Sequence, residues 1–274
     1  ALCLDCVKAT AGIARAKYAY EIAESVEKGG RGLLPAGIIN IETLWEVKDV
    51  SGTALADVKG VLDAVQTYVE NSAKKEGTNM EEVESEAVAT RMYAVAAAYG
   101  YRLAMFELAN RLEGEIGVIK SNELAKAYYQ RVAKEGASAG RNNPFSDDQV
   151  WLSCYNFGLL CLSSPSSPAD VSTAIELLSK SAEEDPDCAC LLGVFHQYVR
   201  GGRGPKWAIQ SYLQALRLSE SETKSDLRID LINAARLCLG LCYYRGEGTS
   251  RDVSKALQYW SAVKLTDVTP PPLS

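Results

Sequence analysis

The sequence predicts an all-α protein, an α-solenoid in which antiparallel helix pairs stack into a right-handed superhelix. Three observations lead to this fold class. Apolar residues recur at helical spacings of three and four, and glycines interrupt these helical segments. Five alanines recur at intervals of 36, 49, 34 and 48 residues: Ala89, Ala125, Ala174, Ala208 and Ala256. A period in the mid-thirties is typical of helix pairs that bury their apolar faces only against neighbouring pairs. In a chain of 274 residues it predicts about six or seven pairs.

The clearest copy of the repeat covers residues 235–263. Its first helix carries Ala235, Leu239 and Tyr243 four residues apart, and therefore on one face. A turn follows in which Gly246 and Gly248 accept positive φ angles and end the helix. Asp252 stands at the N-cap position of the second helix, which continues with the buried-face residues Ala256, Tyr259, Trp260 and Val263.

Other copies keep these offsets. They run from Ala104 to Gly136, from Ser153 to Ala182 and from Cys188 to Ala215. Ala89 belongs to the second helix of a further pair, in which the first helix does not show the repeat pattern clearly. Agreement of several residues at fixed offsets favours true repeats over chance recurrence of alanine.

The pattern resembles the Sel-one-like repeat, a relative of the tetratricopeptide repeat. The features that carry it are Ala-x4-Gly, a Gly-x-Gly turn, Asp-x3-Ala and a Tyr/Trp pair. The resemblance covers about residues 85–264 and departs at Cys161 and His196, where the family usually has tyrosine. It implies a non-catalytic adaptor, a role that such proteins fill in endoplasmic-reticulum quality-control ligases and in mitochondrial assembly.

The predicted organisation has three parts. Residues 1–79 form a diverged N-terminal helical cap, in which Gly29–Gly32 ends the first helix and Ser51 caps a later one. Residues 80–266 hold the repeats, with insertions at 137–148 and 217–230. Residues 267–274 form a proline-rich extended tail.

Both insertions are expected to be polar surface loops on one rim of the stack. A functional alternative makes them partner contacts or, for Ser219, Ser221 and Ser225, phosphorylation targets. The tetrapeptide Gly201–Gly204 repeats the sequence of Gly29–Gly32. It is no phosphate-binding loop, since no Gly-Lys-Ser/Thr follows it.

Charge and hydrophobicity argue against nucleic-acid binding and against a membrane-spanning helix. The net charge is −6, with lysines and arginines scattered, whereas binding to a nucleic-acid backbone needs a basic stripe. No run reaches the ~18 to 20 apolar residues of a membrane-spanning helix. Direct nucleic-acid binding and a transmembrane segment are therefore not expected.

Eight cysteines leave two interpretations open. They are Cys3, Cys6, Cys154, Cys161, Cys188, Cys190, Cys238 and Cys242. Small reduced residues that pack between helices are favoured over a disulfide framework. Cys3 and Cys6 form an isolated C-x-x-C motif, for which a zinc or redox site is the lesser alternative.

We predict no catalytic, cofactor-binding or metal-binding residues. The single histidine, His196, occupies a position where a core tyrosine normally packs, so a structural role is favoured over a catalytic one. The aromatic pairs at 128–129, 243–244 and 259–260 are expected in the core, with a ligand-stacking ladder as the alternative.

The function expected from this fold is that of a scaffold that binds other protein subunits in a larger complex. The resemblance favours an organellar, in particular mitochondrial, assembly. The alternatives are a degradation adaptor of the endoplasmic-reticulum lumen, a subunit of an RNA-associated complex, and an enzyme that uses His196.

Overall fold

The computed structural model describes residues 17, 19–27, 53–138, 145–163, 167–221 and 226–263. These residues form helices and turns, with no strand among them. The chain divides into two compact units, Ala1–Gln149 and Val150–Ser274. The helices, in order, are α1 (19–27), α2 (Thr53–Ala73), α3 (Met80–Ala98), α4 (Arg102–Gly114), α5 (Asn122–Ser138), α6 (Asp147–Ser163), α7 (Pro168–Ser181), α8 (Pro186–Tyr198), α9 (Pro205–Ser221), α10 (Asp226–Arg245) and α11 (Val253–Ser261).

Consecutive helices pack on one another within each unit. In the first unit α2 contacts α3, α3 contacts α4, and α4 contacts α5. In the second unit each helix from α7 to α11 contacts the next one along the chain, and α10 also contacts α8. Helices α2 to α11 follow one another as five pairs, and in four of them, α2–α3, α4–α5, α8–α9 and α10–α11, a short turn joins the two helices. The predicted all-α fold of stacked antiparallel pairs, the α-solenoid class, is confirmed.

The five repeated alanines lie in α3, α5, α7, α9 and α11, the second helix of each pair. None of them is more than 1% exposed. A methyl side chain allows two helix backbones to approach closely, so a larger residue at any of these positions would force the pair apart. The residues that define the repeat period are therefore buried between helices.

Two equivalent glycines hold the turns against the preceding repeat. Gly117 has φ of +67° and lies against Glu86 and Thr90 of α3. Gly248 has φ of +72°, and a Cβ there would be 2.5 Å from the backbone nitrogen of Lys206 at the start of α9. Glycine is required at both positions for two reasons: the backbone is left-handed, and a Cβ would collide with the neighbouring chain segment.

Side-chain caps begin several of the second-unit helices. The Asp252 carboxylate accepts the backbone N–H of Lys255 at 2.9 Å, which confirms its predicted capping role in α11. Ser167 and Asp170 form a reciprocal capping box at α7. Asp185 caps α8 by accepting the backbone N–H of Cys188 at 2.8 Å.

The segment 217–230 differs from the expected polar loop. Residues up to Ser221 complete α9, and residues from Asp226 onward begin α10. Charged residues of alternating sign occur in helices as well as in loops. In 137–148, residues 137 and 138 end α5 and residues 147 and 148 begin α6.

Several sequence predictions lie outside the described residues. They concern the C-x-x-C motif at 3–6, the glycines at 29–32, Ser51, residues 139–144, Ser225 and the tail at 267–274. The three-part division of the chain stays a prediction. No helix in the described ranges is long and apolar enough to span a bilayer.

Candidate protein-interaction surface

His196 stabilises a turn. It is buried in α8, and its Nδ1 accepts the backbone N–H of Arg203 at 3.3 Å. Its carbonyl oxygen accepts the N–H of Gly204 at 2.9 Å. Burial, followed by the charge of Arg203, lowers the pKa of the imidazole. His196 therefore lies at the predicted core position as a neutral acceptor that orders the turn between α8 and α9.

The described cysteines lie at contacts between helices. The Cys188 Sγ lies 3.4 Å from the carbonyl oxygen of Trp151, and Cys190 Sγ lies 3.5 Å from that of Leu231. Cys154 contacts the Ser181 hydroxyl at 3.1 Å. Their burial agrees with the predicted packing role. In the described part of the chain, no group of His, Cys, Asp or Glu side chains is arranged to hold a metal ion.

The aromatic pairs divide into two kinds. Tyr128 and Tyr129 are buried in α5, as expected for core residues. Tyr244 is 44% exposed, and Trp260 is only half-buried with its ring centroid 5.7 Å from that of Tyr244. The expectation that every pair lies in the core is wrong for Tyr244.

Each of two exposed aromatic side chains makes a cation–π contact with an arginine. The guanidinium of Arg203 lies 4.8 Å from the ring centroid of Trp207, which is 45% exposed. The guanidinium of Arg251 lies 5.5 Å from the ring of Tyr244, and its Nε donates to the Tyr244 carbonyl oxygen at 3.1 Å. These cation–π contacts hold both arginines in one orientation at the surface.

The two arginine–aromatic pairs belong to equivalent turns. Arg203 precedes the repeat alanine of its copy by the same five positions as Arg251 does in the next copy. The close approach of Gly248 to Lys206 brings the two turns together. We call Arg203, Trp207, Tyr244 and Arg251 the turn edge.

The turn edge is basic in an acidic chain. Lys206 adds a third exposed cation, and Lys255 Nζ lies 4.3 Å from the ring of Tyr243. The nearby Glu247 forms its 3.7 Å ion pair with Arg245, which is not a residue of the turn edge. Arg, Trp and Tyr are the residue types that contribute most to protein–protein binding energy. The chemistry of this edge suits a partner surface with carboxylates and apolar groups.

An open groove reaches the turn edge. It has a volume of about 420 Å³ and is lined by one face of α7 and by Arg203. Its lining comprises Ser172, Ile175, Glu176, Ser179 and Lys180 of α7 and, in the turn after α7, Glu183. These mostly polar side chains would form the hydrogen-bonding rim around the aromatic residues of the turn edge.

The first unit contains a buried polar cluster that the sequence did not reveal. Arg111 of α4 is buried, forms an ion pair with Glu27 of α1, and donates to Thr90 Oγ1 at 2.9 Å. Glu27 also accepts the hydroxyl of Tyr93 at 2.7 Å. Burial, followed by the charge of Glu27, raises the pKa of the neighbouring Glu107. This cluster ties α1, α3 and α4 together, which is a structural role.

The exposure of Trp207 and its contact with Arg203 were not predicted from the sequence either. The only sequence signal was the tetrapeptide Gly201–Gly204, which marks a turn but does not reveal the exposure of Trp207. Comparison of repeat offsets would have found that Arg203 and Arg251 are equivalent.

A comparison with known protein families identifies repeats in three segments of the chain. The Sel1 repeat family matches residues 102–136, 151–186 and 234–262. Residues 188–216 fall between these matches, yet α8 and α9 form a helix pair there of the same kind. No curated protein matches the chain.

Two solved structures are similar to this chain. A Sel1 repeat protein from Oxalobacter formigenes is 18% identical with a TM-score of 0.46, over 76% of this chain and 80% of that one. The protective antigen c5321 of uropathogenic Escherichia coli, described as having an SLR fold, is 16% identical with a TM-score of 0.38. That match covers 73% of this chain and 45% of the antigen. The chain therefore contains three Sel1 repeats, at residues 102–136, 151–186 and 234–262.

Proposed function

We propose that this protein is a non-catalytic scaffold subunit that holds partner proteins in a larger assembly through its turn edge. Sel1 repeats form helical-repeat scaffolds for protein interactions, and proteins built from them are generally non-catalytic. The observation that carries the proposal is the pair of exposed aromatic rings, Trp207 and Tyr244, each with an arginine stacked on it.

The geometry of the turn edge supports binding rather than catalysis. Its arginines are oriented before a partner arrives, so less side-chain freedom is lost on association. Truncation of a central Trp or Arg in an interface typically costs about 2 kcal/mol or more, a loss of roughly 30-fold in affinity. A partner with carboxylates opposite Arg203 and Arg251 would pair with them.

The organellar part of the proposal rests on the family resemblance and on the number of cysteines, which favour a mitochondrial assembly. An adaptor in the endoplasmic-reticulum lumen would instead carry oxidised cysteines, and an RNA-associated subunit would bind RNA with strong salt dependence. Cell fractionation, combined with mass spectrometry of the cysteine oxidation state, separates these locations.

The test compares the proteins that co-purify with the intact chain and with a double variant, Trp207→Ala with Arg251→Ala. We expect a stoichiometric set of subunits with the native chain and a loss of at least one subunit with the variant. Leu213→Ala is the matched control, since Leu213 is an exposed apolar residue of α9 outside the turn edge. Circular dichroism checks that all variants keep their helices.

Two results would contradict this proposal. One is a native chain that elutes without any stoichiometric partner. The other is a double variant that retains all partners of the native chain, which would place binding elsewhere. Loss of binding after nuclease treatment would favour the RNA-associated alternative.

A further inference from the structure

We propose that the turn edge binds an extended acidic segment of its partner, with carboxylates about three residues apart opposite Arg203 and Arg251. This inference rests on the proposed function, because it names the chemistry of the partner at the same surface. It adds two properties of that partner that can be tested separately, namely its negative charge and the spacing of that charge along the segment.

The two arginines are held by aromatic rings rather than by carboxylates. Both are exposed, and each guanidinium lies over a ring. In the part of the chain that the structure describes, neither Arg203 nor Arg251 forms an ion pair. Arg251 uses its Nε to donate to the Tyr244 carbonyl oxygen, which leaves its two terminal nitrogens for a partner. A carboxylate is the natural counterpart of such a group, because it accepts two charge-assisted hydrogen bonds from one guanidinium.

The charge around the arginines favours the same partner. Lys206 and Lys255 add further cations to this edge. The acidic residues close in sequence already have partners, since Glu247 pairs with Arg245 and the Asp252 carboxylate accepts the backbone N–H of Lys255. The whole chain carries a net charge of −6. An acidic segment is therefore attracted to this edge by a local charge opposite in sign to that of the chain.

The spacing of the two arginines follows from the repeat. Gly204 and Asp252, which follow Arg203 and Arg251, each donate the backbone N–H to a carbonyl oxygen of the preceding helix at 2.9 Å. The two arginines thus hold equivalent places in consecutive turns. Packed helices lie about 8 to 10 Å apart, which sets the approximate distance between the two backbones. An extended chain advances roughly 3.3 Å per residue, so about three residues of a partner cover that distance.

The groove beside Arg203 favours an extended segment over a helix. Its lining comes mainly from α7, so the groove, Arg203 and Arg251 belong to three successive helix pairs. The lining includes the polar side chains of Ser172, Ser179 and Lys180. An extended backbone has N–H and C=O groups that need such partners, whereas a helix satisfies these groups internally. One short extended segment can therefore contact the groove and both arginines.

Fluorescence polarisation with the full chain and synthetic peptides tests this inference. The probe is a fluorescein-labelled peptide of four Asp-Pro-Pro triplets, because proline keeps it extended at about 3.1 Å per residue with an acid at every third position. We expect saturable binding that is about five-fold or more weaker for Arg203→Gln and for Arg251→Gln. Arg217→Gln is the matched control and should bind as the native chain does, since Arg217 is an exposed arginine at the other end of α9.

Two further peptides separate the charge of the probe from its spacing. In the first, asparagine replaces every aspartate, and this peptide should not bind. The second has the same number of aspartates at every second position, alternating with proline, so that no two of them are three residues apart. It should bind about five-fold or more weaker than the probe, because it cannot place carboxylates opposite both arginines.

Four results would overturn the inference: no saturable binding of the probe, binding that both arginine substitutions leave unchanged, equal binding of the alternating peptide, or tighter binding of a short oligouridine that both substitutions weaken. The last result would assign the edge to nucleic acid. These failures are distinct from failure of the turn edge. If the variant Trp207→Ala with Arg251→Ala loses its partners while the probe does not bind, the turn edge stands and the acidic partner is rejected.

Discussion

Gly240 of α10 lies directly against the indole ring of Trp260 in α11, and a Cβ at Gly240 would be 2.6 Å from Cε2 of that ring. Trp260 also donates its Nε1–H to the Leu237 carbonyl oxygen at 3.3 Å, one turn earlier on α10. Glycine in the middle of a helix normally weakens that helix. Here it allows the last described helix pair to close around an aromatic side chain.

Gly240→Ala should therefore destabilise the protein, although alanine is the better helix former. We expect a loss of about 1 to 3 kcal/mol in the free energy of unfolding, because the indole must move and break its hydrogen bond. Urea unfolding of the full chain measures this change.

Gly60→Ala is the matched control for that prediction. Gly60 lies in α2, and a Cβ there would make only an ordinary contact, 3.8 Å from Leu124 Cδ1. It should stabilise the protein by about 0.5 to 1 kcal/mol. Equal effects of the two substitutions would show that close packing at Gly240 has no energetic importance.

Glu115 occupies a backbone position that suits glycine. Its φ is +58°, and among the described residues it is the one non-glycine with positive φ. The equivalent residue in the last copy is Gly246, with φ of +73°. The left-handed conformation costs a residue with a Cβ about 1 to 2 kcal/mol.

Glu115→Gly should raise the free energy of unfolding by about 1 kcal/mol, since the glycine entropy cost offsets part of that strain. The reciprocal change, Gly246→Ala, should lower it by a similar amount. Thermal or urea unfolding tests both variants. A destabilised Glu115→Gly variant would mean that the glutamate side chain makes a contact worth more than the backbone strain.

Arg111 and Glu27 form an ion pair that closes the polar cluster of the first unit. Glu27→Gln leaves the buried guanidinium without its countercharge, and because the Glu27 side chain is 38% exposed we expect a loss of about 1 to 2 kcal/mol in the free energy of unfolding. The double variant Glu27→Gln with Arg111→Met removes both charges and should recover much of this loss. If urea unfolding gives additive effects for Glu27→Gln and Arg111→Met, the two charges do not stabilise each other.

Features that depend on a few neighbouring residues could be predicted from the sequence. The repeated alanines, the positive φ angles of Gly246 and Gly248 and the Asp252 cap all follow from local spacing. Each recurs at a fixed offset, so the copies reinforce one another. This is why the fold class could be argued from a single sequence.

Features that depend on distant partners could not be predicted. Glu27 and Arg111 are separated by 84 residues, and no repeat offset relates them. The exposure of Tyr244 depends on whether another helix covers α10, whereas its sequence context matches that of a core residue. Residues 217–230 have a loop-like composition, since the charged residues that end one helix and begin the next are also the residue types of polar loops.

Buried thiols in the second unit should react slowly. Burial raises the pKa of Cys154 to about 11 and that of Cys190 to about 12. Since the thiolate is the nucleophile, alkylation at pH 7.5 should be about a hundredfold or more slower than for a free thiol. Iodoacetamide labelling followed by mass spectrometry measures each site.

Unfolding in urea is the control for the labelling experiment, and all cysteines should then react quickly. Rapid reaction of Cys154 or Cys190 in the native protein would show that the helix contacts open readily. Disulfide-linked peptides from unreduced protein would contradict the interpretation of the cysteines as reduced packing residues.

His196 should make stability depend on pH in a defined direction. Burial, followed by Arg203, lowers its pKa in the folded state below the ordinary value of 6.5. Below pH 6.5 the unfolded chain therefore binds the proton before the folded chain does, and the free energy of unfolding falls as the pH drops toward the folded-state pKa.

His196→Asn keeps an acceptor for the Arg203 N–H but cannot titrate. Because the chain has a single histidine, the difference between native and variant unfolding curves from pH 7.5 to 5.0 isolates this group. We expect the native protein to lose more stability than the variant over this range, and parallel profiles would show that His196 is not held neutral by its surroundings.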